Sequence, residues 1–452
     1  MSDKNTIVAL ATSHGESAIA VIRVSGPLSK EIAEAAFAPK LEAHPRLSRF
    51  GKYVSMTGAI IDECIYVFFK GKASYTGEDS IEISCHGNPL ICNKIISDLY
   101  DRGCEAAAPG EFTRRAFLNG KIDLSQAEAV MSVISASSER ALASANKLLS
   151  GELGKLVSEW SSKMLGLLAE IEAQIDFSDE GIIESDISHF KNEIDKLLSC
   201  LSNTANSARY GNLIRDGITV LILGAPNAGK SSLMNRLVGS ERSIVCDEPG
   251  TTRDFISENF NIGNYRIRIL DTAGLREDVK SAVEQIGIRK TMECLDIADL
   301  IVFVADSSTK EPVIPLGIMR RISPENTIVV LNKSDLPRVM DTDRFLEKFE
   351  RVSISAIADS SREIVASAII KFIEDKKIVP DKDLLIVGER QAELLMGACR
   401  SLTLAKEKIS QIPLEFIAEM LRDSMENLSE IVGTFDNEKV LDKVFSNFCI
   451  GK

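Results

Sequence analysis

The chain has 452 residues, 44% of them apolar and 26% charged, and its 66 acidic side chains outweigh 53 basic ones for a formal net charge of −13. At about 150 residues per domain that length implies roughly three domains with cores of their own, and the mixture excludes a disordered or membrane-spanning chain. Taken at face value, −13 also argues against a nucleic-acid partner, because an acidic surface repels polyphosphate. The opening MSDKNTIVALATSHG lacks the basic-then-apolar layout of a signal peptide. Nine cysteines, no CxxC pair and four histidines make a disulfide framework or a zinc site an improbable reading, so a cytoplasmic chain with reduced thiols is expected.

In chain order, IVALA (7–11), AIAVIRV (18–24), CIYVFF (64–69) and SIEIS (80–84) read as strands, punctuated by Gly26-Pro27, Gly87-Asn88-Pro89 and Pro109-Gly110. Residues 1–117 thus form a mixed α/β domain. From 118 to 212 glycine thins out and Leu, Ala, Ser and Glu recur at helical spacing. Within that stretch, 164–190 holds seven acidic residues (Glu170, Glu172, Asp176, Asp179, Glu180, Glu184, Asp186) and no Lys or Arg. A solvated helical face accounts for them. Over 213–376 the strands ITVLIL (218–223), YRIRIL (265–270), DLIVFVAD (299–306), TIVVLN (327–332) and RVSIS (351–355) alternate with helical stretches, the pattern of a doubly wound parallel sheet. Residues 377–452 are helical again. The expected fold is multidomain α/β plus α: an N-terminal α/β domain, a discontinuous helical domain, and a doubly wound α/β domain inserted in it.

Gly224-Ala-Pro-Asn-Ala-Gly-Lys-Ser231 fits GxxxxGK[ST] between a strand and a helix. Backbone N–H groups of Asn227, Ala228, Gly229, Lys230, Ser231 and Ser232 are placed to surround phosphates, with Lys230 reaching the terminal ones and the Ser231 hydroxyl available to Mg²⁺. Asp271-Thr272-Ala273-Gly274 follows the strand YRIRIL, where an acid lies near Mg²⁺ and a glycine N–H near the γ-phosphate. Asn332-Lys333-Ser334-Asp335 follows TIVVL, and Ser355-Ala356 follows RVSI. An aspartate at 335 can accept both N1–H and N2–H₂ of guanine, donors that adenine lacks in that geometry. Leu275 occupies the place where many such proteins carry a water-orienting glutamine. Gly250-Thr251-Thr252-Arg253-Asp254 is the segment expected to supply a second Mg²⁺ ligand, Thr252. Asn227 reads either as a plain turn residue or as an amide that helps hold a monovalent cation.

Four further stretches carry a family resemblance: SYTGED (74–79), CHGNP (85–89), PGEFTRRAFLNGKIDLSQAEAV (109–130) and the terminal Cys449-Ile-Gly-Lys452. Together with the nucleotide motifs they resemble, over essentially the whole chain, the MnmE/TrmE tRNA-modification GTPases. The resemblance implies a K⁺-activated GTPase whose G domains dimerise across the nucleotide. Asn227, Cys246, Glu248 and Thr251 would be the K⁺ ligands, with Asp247, Pro249 and Gly250 in the same GTP-binding segment. It implies that Glu284, in a Glu-x-Ile-Gly context, orients the attacking water. It also implies a homodimer formed through an N-terminal domain that binds 5-formyl- or 5,10-methylene-tetrahydrofolate, at the positions matching Arg23, Glu82, Lys121 and Lys452. Two spellings depart from the family: Ser13-His-Gly-Glu-Ser17 after the first strand, and Gly388-Glu-Arg-Gln391 at the return to the helical domain.

Cys449 fits a prenylation box poorly, because Gly and Lys end the chain. It is either an inert tail thiol or, as the resemblance implies, a catalytic element near the folate. The implied reaction is the attachment, together with the FAD protein MnmG (two copies of each), of a carboxymethylaminomethyl-type group to C5 of the wobble uridine of certain tRNAs, with no role for DNA or membrane. Two alternatives stand beside it. One is a ribosome-assembly switch that binds RNA without modifying it, although the last 70 or so residues contain no GXXG clamp. The other is a folate-dependent aminomethyltransferase in which the GTPase is only a regulator.

Overall fold

The computed structural model describes residues 5–176, 184–211, 213, 217–239, 257–270, 291–376, 378, 385–433, 438–446 and 448–451. They divide into two compact units, Met1–Met131 with Leu148–Ile194 and Arg400–Lys452, and Ser132–Lys147 with Asp195–Cys399.

The first unit holds a seven-stranded sheet: β1 (Thr6–Leu10), β2 (Ser17–Ser25), β3 (Phe37–Ala38), β4 (Ser48–Val54), β5 (Ile60–Phe69), β6 (Ser80–Gly87) and β7 (Cys104–Ala106). Their order is β3-β4-β5-β6-β2-β1-β7, antiparallel except for β1 against β7. Period-two alternation turns Ile22, Val24, Tyr66, Phe68, Ile81 and Ile83 into one core, which α1 (Ser29–Ala35) and α2 (Pro89–Asp101) cover. The opposite set, Ile7 and Ala9, packs with Phe112 of α3 (Glu111–Leu118). α4 (Leu124–Ser135) follows α3, and α5 (Glu139–Leu149) follows α4.

α6 (Glu152–Asp176) buries Leu153, Val157, Trp160, Met164, Leu167 and Ile171, a stripe spaced by threes and fours. Its neighbour is α11 (Leu414–Val432), some 250 residues onward, with Leu414, Ile417, Leu421, Leu428 and Ile431 buried. The pair runs antiparallel: Gly154 lies against Val432, while Glu172 pairs with Arg422 at 2.5 Å. Glu170 reaches His189 of α7 (Glu184–Asn206) at 3.2 Å. Both glutamates are about half exposed, as a solvated face requires.

The second unit holds a six-stranded sheet of order β13-β12-β11-β8-β10-β9, built from β8 (Ile218–Gly224), β9 (Ser257–Ile262), β10 (Tyr265–Leu270), β11 (Leu300–Asp306), β12 (Thr327–Asn332) and β13 (Glu350–Ser353). All pairs are parallel except the β9–β10 hairpin. The central strands are buried along their length because helices cover both faces of a parallel sheet. α8 (Lys230–Val238) and α9 (Ser361–Asp375) pack over one face. Leu221, Leu223, Phe303 and Phe345 fill the other. Within this unit Arg140 of α5 stacks over the Tyr265 ring at 4.6 Å, and the Tyr265 hydroxyl donates to Glu374 at 3.2 Å. α10 (Glu389–Lys408) opens with Gln391 bonded back to the Gly388 N–H at 3.0 Å. That bond closes the first turn as a capping-box residue does, so the departing spelling Gly388-Glu-Arg-Gln391 makes a sound helix start. The chain ends with α12 (Glu438–Phe445) and its tail.

Candidate functional site

The phosphate loop leaves β8 at Gly224, where a Cβ would run into the Val304 carbonyl of the neighbouring strand. Asn227 has φ 62 and Gly229 φ 95, so the loop turns twice through the left-handed region before α8 begins. Gly229 caps α8 without a side-chain bond, and the N–H groups of its first turn, on Lys230, Ser231 and Ser232, have no partner inside the helix. Together with the helix dipole they form an anion site. The Lys230 ammonium folds back into the loop and donates to Gly224 O and Ala225 O, both at 2.9 Å. Ser231 and Ser232 are exposed, whereas Ala228 is buried.

The base-recognition residues are fastened to that loop. Asn332, 2% exposed, donates from Nδ2 to Ala228 O at 2.7 Å and accepts the Ala356 N–H on Oδ1 at 2.8 Å. One side chain therefore ties three loops. A Cβ on Gly229 would run into that same amide nitrogen, so the glycine is required by a neighbour as well as by its φ. Lys333, φ 61, pairs with Asp306 at the end of β11 at 2.6 Å. Burial works to raise the Asp306 carboxyl, but bonds from Lys333, the Ser308 hydroxyl and the Ser308 N–H outweigh it and hold the group below the ordinary carboxylate value. Asp335 is exposed, and Ser334 N–H bonds to Ile354 O at 3.0 Å, so the loops bearing Asp335 and Ser355-Ala356 lie side by side. Cys246, Asp247, Glu248, Pro249, Gly250, Thr251, Thr252, Asp271, Thr272, Ala273, Gly274 and Glu284 lie outside the described residues.

On the N-terminal sheet Arg23 and Glu82 are direct cross-strand partners in the β2–β6 register. Arg23 gives Nε at 2.9 Å and Nη2 at 2.8 Å to Glu82 Oε1, which leaves Oε2 without a partner among the described residues. The guanidinium also faces the rings of Tyr75 at 5.3 Å and Phe112 at 5.7 Å. Lys121 Nζ donates to Lys72 O at 2.6 Å. The terminal segment docks nearby. Gly451 (φ 95) sits so close to Leu10 and Ala11 that a Cβ there would collide with the Leu10 carbonyl, and Gly110 N–H points at Cys449 O, 3.5 Å away. Cys449 is exposed. By contrast, burial pushes the Cys64 thiol up to about 12 and Cys104 up to about 11, which makes both inert. Lys452 lies outside the described residues.

Arg114, Arg115 and Lys121 are close in sequence but do not form one basic surface: Arg115 is buried and bonded to Glu78 at 3.1 Å and Glu111 at 2.7 Å, while Arg114 reaches Asp442 at 3.7 Å. A paired, desolvated guanidinium is structural. Residues that sequence reasoning passed over include Asp306, Tyr75 and Phe112. Asp306 closes the apolar strand DLIVFVAD, Tyr75 lies inside SYTGED and Phe112 inside PGEFTRRAF, so each had a signal.

A model of the GTP-binding protein TrmE N-terminus matches residues 6–121, and a model of the MnmE helical domain matches residues 124–449. The tRNA modification GTPase MnmE of Opitutus terrae is 44% identical over 99% of both chains. The chain belongs to the MnmE family of tRNA modification GTPases. The MnmE proteins of Akkermansia muciniphila and Aquifex aeolicus are 40% and 39% identical over 99% of this chain and at least 99% of their own. Among solved structures, the G domain of the T. maritima FeoB iron transporter covers 34% of this chain at 24% identity, with a TM-score of 0.25, too low to add to the fold argument. As an MnmE family member the protein is a GTP hydrolase acting in tRNA modification. No helix among the described residues is long and apolar enough to cross a membrane.

Proposed function

We propose that this chain uses GTP to drive the addition of an aminomethyl-type group to C5 of the wobble uridine of certain tRNAs, with a flavoprotein of the MnmG kind as partner. In this reading 1–117 binds the one-carbon donor and pairs two copies of the chain, 118–212 and 377–452 are one helical domain, and 213–376 is the GTPase domain. The site of action is the cytoplasm. The observation that carries the folate part is a convergence. The Arg23–Glu82 pair faces Phe112 from one side, and the Cys449 segment reaches Gly110, two residues earlier, from another. A carboxylate oxygen without a partner among the described residues and two aromatic rings suit the amino edge and flat face of a pterin.

At the nucleotide, the N–H groups of 227–232 bind phosphate, Lys230 neutralises it, and Asp335 accepts from guanine. Ser231 and Thr252 would hold Mg²⁺, and Asn227, Cys246, Glu248 and Thr251 would hold K⁺. Of these, Asn227 and Ser231 are exposed at the loop and its helix start, where such ligands belong. When bound, the cations supply positive charge to the phosphate oxygens. Glu284 orients the water that attacks in line. The test is the GTPase rate at equal concentrations of KCl and NaCl. A rate at least tenfold higher in KCl, about 1.4 kcal/mol of barrier, is expected, and equal rates would remove the K⁺ assignment.

A further inference from the structure

Four exposed cations, Arg46, Lys70, Lys72 and Lys121, surround the single 3₁₀ turn Gly71–Ala73. Two of them converge on its carbonyls: Lys121 Nζ donates to Lys72 O at 2.6 Å, and Arg46 Nη2 lies 3.5 Å from Ala73 O. None of the four forms an ion pair among the described residues. Of the carboxylates next in sequence, Asp79 accepts the Gly71 N–H at 2.8 Å and so lies against the turn itself, while Glu78 is engaged away from it with Arg115 and Ser25.

The loop that follows this turn leads straight to Arg23 and Glu82. Tyr75 faces the Arg23 guanidinium and bonds Thr113 at 3.0 Å. Asn119 Nδ2 donates to Thr76 O at 2.8 Å. A Cβ on Gly77 would come to 3.3 Å from the Lys121 stem and 3.0 Å from Asn119, so Gly77 is what lets that lysine lie across the loop. One short segment therefore carries an aromatic pocket wall at one end and a concentrated positive charge at the other.

Resting on the folate reading above, we infer that the Arg46–Lys70–Lys72–Lys121 cluster is a subsite for the carboxylates of a γ-linked polyglutamate tail on the folate. Each added glutamate brings one more free carboxylate, and the segment running from this turn to Tyr75 joins the cluster to the ring that faces Arg23. RNA fits the cluster less well. A phosphate backbone needs cations strung along several repeats, whereas these gather on one turn of a chain whose net charge is −13.

The experiment is calorimetric titration of the full chain with 5-formyltetrahydrofolate carrying one glutamate and carrying five, at about 0.1 M salt. The five-glutamate form should bind about tenfold more tightly, the sum of several exposed ion pairs. In a Lys70→Ala/Lys72→Ala variant the ratio of the two affinities should fall towards one, as it should for the unaltered chain at about 0.5 M NaCl. Equal affinities in the unaltered chain, or a preference that the double variant keeps, would overturn the subsite while leaving the folate reading standing. Failure of both forms to bind would remove the folate reading and the subsite with it. Transfer RNA that displaces the five-glutamate form and spares the one-glutamate form would reassign the cluster to RNA and refute the inference.

Discussion

Asn332 is the residue on which the nucleotide site turns, because its amide satisfies a carbonyl in the phosphate loop and an N–H in the loop after β13 while almost wholly buried. Replacing it with alanine orphans both groups, and an unmade buried bond costs about 1–3 kcal/mol each. Asn332→Ala should therefore lower the stability of the second unit by roughly 2–6 kcal/mol and weaken GDP binding. Urea unfolding followed by GDP titration checks this; a variant as stable as the parent and equally tight for GDP would contradict the strut role. The motif spelling alone placed Asn332 at the base pocket. That it also reaches back to Ala228, and thereby forbids a side chain at Gly229, is a three-dimensional fact with no local sequence signal.

At the level of elements, YRIRIL and TIVVLN match β10 and β12 to the residue and the other strands read from apolar runs have ends shifted by up to four residues, since such runs are what a covered sheet demands. β3, β4, β7 and β9 were missed for a physical reason. SRFGKYV, between β3 and β5 with several residues exposed, and SENFNI, at an edge of the other sheet, mix charge, glycine and polar residues, and strands with a solvated face or a free edge need no continuous apolar run. The site residues carried by loop motifs were legible, while the Tyr75–Arg23–Phe112 grouping was not, because it joins β2, α3 and a loop between strands. Asp306 and Lys333 join the end of β11 to the turn after β12, and their contribution depends on pH. The folded carboxyl is held below its ordinary value, so the stabilisation is present above about pH 4, the unfolded aspartate value, and is lost as pH falls through the folded pKa. The stability difference between the parent and Asp306→Asn should be constant from about pH 7 down to about pH 5 and shrink below about pH 4. A difference that grows on acidification would reverse the assignment.

For the whole molecule, the charge of −13 changes meaning once it is placed. Glu170 and Glu172 of the acidic stretch lie on a half-exposed helical face, where His189 and Arg422 partner them. Arg115 is buried in ion pairs with Glu78 and Glu111, while Arg46, Lys70, Lys72 and Lys121 stand exposed around the Gly71–Ala73 turn. An acidic total thus coexists with a tRNA-modification family and with a phosphate loop whose helix start favours anions. The central claim is that the nucleotide site and the Arg23–Glu82 site serve one modification reaction. The most direct test is mass spectrometry of tRNA from cells deleted for this gene and supplied with the parent, Asn332→Ala or Glu82→Gln. The account predicts that the parent restores the C5-aminomethyl-type wobble uridine and that each variant, present at parental levels, leaves it at least tenfold lower, a loss of about 1.4 kcal/mol in the rate-limiting step. Full restoration by either variant, or ribosome precursors accumulating in the deleted cells while the uridine stays modified, would contradict it.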